Sequence, residues 1–211
     1  MKRVINLDNW NRKEHFKFFS ALDDPFWGIT MTVDFTSIYQ QSKNMEVSFF
    51  LYSVHFLLKC INATTAFKLR IENGEVVEYD KINLSPTIGR EDGTFGFGFF
   101  EYDTDLSLFI ENAEKEIHRV KNSTGLSFSK DTARADVIRY SALPWFAFSE
   151  MKHAGSIQTG DSIPKISIGK LIQEKKKLLL PISISVHHGL VDGRNVAEFI
   201  QNVKDGQNNT L

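Results

Sequence analysis

"LLLPISISVHHGLVDGRNVAEFI", residues 178–200, decides the fold. Leu180, Ile182, Ile184 and Val186 alternate with Ser183, Ser185 and His187, the period-two pattern of a strand with one apolar and one polar face. If the extended conformation persists to the end of the run, His187 and His188 point to opposite sides and do not share one role. The period then changes: Val196, Phe199, Ile200 and Val203 recur at helical spacing, and Asp192-Gly193 stands at the start of that helix. An imidazole at the mouth of a cleft suits general-base work, because its ordinary pKa near 6.5 leaves much of it neutral at physiological pH. Taken alone, however, H-x-x-x-D reads more simply as a core histidine beside a helix-start aspartate.

The elements before this stretch fill out one α/β (α+β type) domain, a mixed, largely antiparallel sheet flanked by helices. Trp10–Phe19 reads as a short helix, and Ile29, Met31, Val33 and Phe35 alternate with polar residues as a strand. VSFFLYSVHFLLKCIN, residues 47–62, is hydrophobic nearly all round, which predicts a central buried helix. FKLRI and VVEYD flank Asn73-Gly74, a dipeptide suited to the positive φ angles of a tight hairpin. In TFGFGFFEY, Phe95, Phe97 and Phe99 share one side of a strand, and Gly96 and Gly98 open the other to a backbone or a ligand. Residues 105–120 read as an amphipathic helix, VIRYS and KISIGKL as strands, and Lys175–Lys177 as a solvated hairpin turn. Residues 1–211 form a single unit, with a frayed polar tail from about 205.

Composition narrows the function classes. With 211 residues, 42% hydrophobic, 24% charged and a formal net charge of -1, nothing calls for nucleic acid or a membrane surface as partner. No segment approaches a membrane span and no apolar leader follows Met1, so a cytoplasmic location is expected. The single cysteine, Cys60, lies in an apolar stretch and reads as a buried thiol. His15, His55, His118 and His153 have no metal-ligand spacing, so no metal is expected. The loop GSIQTGDS, residues 155–162, has Asp161 where a phosphate-binding loop needs lysine, and reads as an ordinary polar loop.

HHGLVDG resembles the HHxxxDG motif of the chloramphenicol acetyltransferase family (type A), of which this chain reads as a divergent member. WNRKEHF at Trp10–Phe16 resembles the family's opening motif, SALPW at Ser141–Trp145 its S-A-(L/N)-P-W segment, and LLLPISISVHH its catalytic strand. The resemblance implies a homotrimer with active sites at subunit interfaces, acetyl-CoA as co-substrate and no bound cofactor. It implies direct O-acetylation of a small hydroxylated acceptor, nominally chloramphenicol, and so antibiotic resistance. By position, His188 is then the general base and Ser141 the donor to the oxyanion. Asp192 and Arg12 are a structural ion pair of the site, and Ser167 supports a water or the oxyanion. Lys170 meets a phosphate of coenzyme A.

The departures bear on the acceptor. Phe95-Gly96-Phe97 stands where the family's acceptor pocket has an aromatic-serine-small segment, Phe19 replaces a frequent tyrosine, and Leu171 replaces an aromatic residue beside Lys170. Phe19, Phe95 and Phe97 are therefore acceptor-pocket candidates. Two alternatives stay open: an acyltransferase of the same fold for another hydroxylated molecule, and a non-catalytic descendant that binds coenzyme A. The dihydrolipoamide acyltransferases share the fold but have a D-H-R-x-x-D-G motif, which this chain lacks.

Overall fold

The computed structural model describes residues 1–155 and 160–208. The first half runs β1 (Lys2–Val4), α1 (Lys13–Ser20), β2 (Phe26–Asp34), α2 (Thr36–Asn44), α3 (Phe49–Ala63), β3 (Leu69–Glu72), β4 (Glu75–Tyr79) and β5 (Asn83–Gly89). The second half runs β6 (Phe95–Phe97), α4 (Leu106–Lys121), β7 (Val137–Ala142), β8 (Lys165–Ile168), β9 (Ile172–Glu174), β10 (Lys177–His187) and α5 (Gly193–Asn208). Part of the polar loop 155–162, residues 156–159, and the tail residues 209–211 lie outside the described residues.

Among the described residues, the large sheet has the order β2-β10-β8-β7-β5-β6, with β9 also on β10, and β1-β4-β3 form a small antiparallel sheet. Parallel pairing is confined to β5–β7 and β7–β8, so the sheet is mixed and largely antiparallel, as the strand pattern predicts. β8 and β9 flank a bulge: Ile168 pairs Ile182 and Ile172 pairs Leu179, so Gly169, Lys170 and Leu171 face only Leu180 and Pro181. Pro181, with no N–H for a ladder, falls at that gap, and its carbonyl accepts from the Gly169 N–H at 2.9 Å.

The apolar face of the sheet packs on the helices. Ile182, Ile184, Ile166 and Ile138 are buried in one core cluster with α3, which is contacted in turn by α2, α4 and α5. Phe50 of α3 meets Tyr140 of β7, with ring centroids 6.3 Å apart. The Asn73-Gly74 hairpin takes left-handed backbone at both residues, φ 52° and 81°.

Three expectations need correction. α1 begins at Lys13 rather than Trp10, because Trp10 caps a preceding 3-10 turn at Leu7–Asn9. The glycine side of Phe95–Phe97 faces side chains rather than a backbone or ligand: a Cβ on Gly96 would lie 2.5 Å from both Arg90 and Ser127 and 2.8 Å from Val120. The final helix continues to Asn208, past the point where polar composition predicts fraying, because Gly206 packs on Phe56 of α3 so closely that a Cβ would lie 2.9 Å from the ring.

Arg70 ties the small sheet to the large one. The side chain is fully buried and donates to the carbonyls of Phe67, Leu69, Ala135 and Val137 at 2.6–2.9 Å. Burial pushes its pKa down to about 10, so it stays charged at neutral pH. Arg70→Met leaves these carbonyls without their donor and is expected to cost on the order of 3–5 kcal/mol, read as a lower urea midpoint at unchanged slope.

Candidate active site

The end of β10 separates the two histidines. His187 pairs Phe26 across the ladder and meets that ring at 5.9 Å, on the polar face of the sheet. His188 lies in the turn beyond, against Trp27 (5.4 Å) and stacked on Phe19 of α1 with ring centroids 3.8 Å apart and planes 13° apart. Its backbone is fixed on both sides: the N–H donates to the Pro25 carbonyl at 2.8 Å, and its carbonyl accepts from Arg12 at 3.2 Å. Nδ1 is buried without a partner among the described residues, which leaves Nε2 as the outward nitrogen.

The second anchor is Asp192. One carboxylate oxygen accepts from Arg12, and the other accepts the N–H groups of Arg194 (3.0 Å) and Asn195 (3.2 Å), the free donors at the start of α5. Asn195 returns the contact by accepting the Asp192 N–H at 3.0 Å. Burial alone would raise the Asp192 carboxyl, but Arg12 and these N–H groups outweigh it and hold the pKa below the ordinary value. Arg12, Phe19, His188 and Asp192 therefore form one group that joins α1 to the start of α5.

Ser141 and Ser167 belong to a different place. Strand register sets Ser141 beside Ser167, Ser167 beside Ser183 and Ser183 beside Thr30, on the polar face. Thr87 extends the row on β5, donating its hydroxyl to Ser141 Oγ at 3.2 Å. With Oγ already accepting, the Ser141 proton is free to point away from the sheet. Ser167 meets His153 Nε2 at 2.9 Å. Phe97 pairs Thr87 at the edge of this face and stacks on Phe128 at 5.5 Å, and Phe95 is 47% exposed beside it. Lys170 is exposed on the β8–β9 bulge, and its N–H donates to the carbonyl of Phe146, in the segment that follows Ser141.

The two groups do not meet within one chain. His188 is five residues beyond Ser183, roughly 16 Å along the strand, and Ser141 lies two strands across from Ser183, about 10 Å. The separation exceeds hydrogen-bond reach several-fold, and the two side chains lie on opposite faces. Thr87 and His153 escape a reading of the sequence because their contacts cross strands and loops. Only the pairing of β5 with β7 reveals Thr87, and no local pattern marks His153.

His187 is 4% exposed, and its Nδ1 accepts the Gly189 N–H at 3.2 Å, so its proton is on Nε2. Burial pushes its pKa down to about 4. The fold holds the ring neutral, so on acidification the unfolded chain takes up the proton first. Stability present above pH about 6.5 is lost as the pH falls toward about 4, by on the order of 3 kcal/mol. Urea titrations between pH 7 and 4 are expected to show this slope in the wild type and a shallower one in His187→Asn, with the residue left by His55 and His153, whose pKa values burial also lowers.

The chloramphenicol acetyltransferase family profile matches residues 2–204. The chain is similar to chloramphenicol acetyltransferase 3 of Escherichia coli, 27% identical over 208 residues that cover 98% of this chain and 97% of that one. A solved chloramphenicol acetyltransferase structure matches with a TM-score of 0.89 and 29% identity, covering 98% of this chain and 99% of its own. A probable dihydrolipoamide acetyltransferase from Listeria monocytogenes, 13% identical with a TM-score of 0.69 over 99% of this chain and 94% of its own, shares the fold.

Proposed function

The chain belongs to the chloramphenicol acetyltransferase family, and from that premise we propose that it transfers acetyl from acetyl-CoA directly to the hydroxyl of a small acceptor, with His188 as general base. The observation that carries the reading is the confinement of the His188 ring. Phe19 stacks on it, its backbone is held at both ends, and Nε2 is the nitrogen left for a substrate proton. Nε2 takes the acceptor's hydroxyl proton, and the oxygen attacks the thioester carbonyl. The tetrahedral oxyanion that forms accepts a hydrogen bond from Ser141. Collapse of the intermediate breaks the carbon–sulfur bond, and the thiolate of coenzyme A recovers the proton from the imidazolium.

The other residues take supporting roles. Arg12 and Asp192 hold the His188 turn against α1 and need not touch substrate. Ser167 supplies a hydroxyl for a water or for the oxyanion. Phe95 and Phe97 wall the acceptor pocket, and Lys170 meets a phosphate of coenzyme A. Because His188 and Ser141 lie beyond mutual reach in one chain, the complete site takes His188 from one copy and Ser141 from the next. A cyclic homotrimer supplies such head-to-tail interfaces. The exposed Trp145 (73%), Phe146 (54%) and Phe128 (70%) are suited to burial there.

Chloramphenicol is the nominal acceptor. Phe19, which offers no hydroxyl, and the aromatic stack of Phe97 on Phe128 favour a second reading, the same chemistry on a different hydroxylated molecule. Acetyl-CoA-dependent thiol release with chloramphenicol tests the first: release by the wild type, lowered on the order of 10³-fold in His188→Ala, is the expected outcome. No release with chloramphenicol, but release with another alcohol, moves the assignment to the second reading. Binding of coenzyme A with no alcohol turned over would mean a retired enzyme.

The shared site has its own test. Ser141→Ala is expected to lower kcat at least about 100-fold. Co-expression of His188→Ala with Ser141→Ala subunits should nonetheless restore activity, because about a quarter of randomly formed interfaces unite two intact halves. Activity no higher than that of either variant alone would mean that each chain builds its own site.

A further inference from the structure

The segment after β7 crosses the polar face of the sheet. Ser183 donates to the Met151 carbonyl at 3.5 Å, and His153 Nε2 lies 2.9 Å from the Ser167 hydroxyl. His153 lines a cleft of about 650 Å³ together with Trp27, Thr30, Lys165 and Ser185. Its Nδ1 is buried and has no hydrogen-bond partner among the described residues. Burial, then the positive charge of Lys165, lowers the pKa of the ring and keeps it neutral. A neutral imidazole has one donor and one acceptor nitrogen. Whichever role Nε2 takes toward Ser167, Nδ1 is left with the opposite one unmet. Unlike the other unmet buried groups, this one belongs to a side chain that lines the cleft, where a partner can arrive to satisfy it.

That partner has a defined position. Ser167 is the strand neighbour of Ser141, one strand spacing of about 5 Å away, so the His153 contact adjoins the row that carries the proposed oxyanion donor. We propose that His153 determines acceptor specificity: its Nε2 orients the Ser167 hydroxyl, while its Nδ1 hydrogen-bonds a second polar group of the acceptor. This rests on the reading of Ser141 and Ser167 as part of the acyl-transfer site. It narrows the acceptor to small molecules that carry a further hydroxyl, carbonyl or amide near the reacting hydroxyl. A monofunctional alcohol leaves Nδ1 unmet and is discriminated against by at least about tenfold.

The test uses the purified full chain, with acetyl-CoA as donor and chloramphenicol, which has a second hydroxyl and an amide, as the probe. His153→Leu removes both nitrogens at similar bulk, and His153→Gln keeps one hydrogen-bonding arm. The expected result is a KM for chloramphenicol at least about tenfold higher in His153→Leu, a KM for acetyl-CoA within about twofold of wild type, and partial recovery in His153→Gln. In ¹⁵N-histidine spectra of the wild type, chloramphenicol should also shift the Nδ1 signal that is absent from His153→Leu. An unchanged KM in His153→Leu overturns the proposal. So do parallel losses in both KM values with a lower Tm that His153→Gln does not repair. Turnover with an unmoved Nδ1 signal likewise overturns the His153 proposal alone. A shift without turnover upholds His153 and overturns chloramphenicol as the acceptor that is acetylated, and neither shift nor turnover overturns both.

Discussion

The register of β10 is the constraint on which the rest of the molecule depends. The strand is held between β2 on one side and β8 and β9 on the other, so its alternation is imposed from both edges. Ile182, Ile184 and Val186 face the helices, while Ser183, Ser185 and His187 face away. A slip of one residue would bury hydroxyls among the helices and turn isoleucines into the polar face. It would also exchange the places of the two histidines. The gap at Pro181 fixes the alignment further, because only there can the strand lack a donor without a broken ladder.

The same alternation gives the sheet two unlike buried faces. One is a conventional core. The other carries Ser85, Lys165, Ser167 and Ser183, all at most 6% exposed, and is covered by a loop rather than by helices. Hydroxyls there find partners in one another and in the covering loop, which keeps the row Thr87–Ser141–Ser167 aligned. Ser141 gains its direction from a hydrogen bond that it receives and Ser167 from one that it shares. The polarity of this face is thus a condition of the chemistry proposed for it.

Much of this was legible along the chain. Alternation in β10 and β2, the all-round apolar α3 and the Asn73-Gly74 turn are local patterns with local causes, and they locate those elements to within a few residues, whereas β1, α2 and β5 are not read from the sequence. Arg12, Ser141, His188 and Asp192 are named by the resemblance of their motifs to the family. What stayed hidden depends on contacts between elements. The side of β6 that carries Gly96 is filled by Arg90, Ser127 and Val120, residues that no spacing relates to it. The helical end of the chain owes its length to Phe56, and Thr87 its place to β7. His153 looked like a stray histidine because its partner, Ser167, lies on the next strand.

The ties around His188 also set an order of construction. Arg12 reaches Asp192 across 180 positions of sequence and the His188 carbonyl across 176. As a ribosome delivers the chain, α1 emerges early but has nothing to grip until the last strand and helix follow. The His188 turn is therefore among the later features to acquire its shape, and contacts this distant in sequence close slowly. A chain stalled before residue 192 can bury most of its core and still hold no oriented imidazole. An oriented His188 ring thus reports that Arg12 and Asp192 have met.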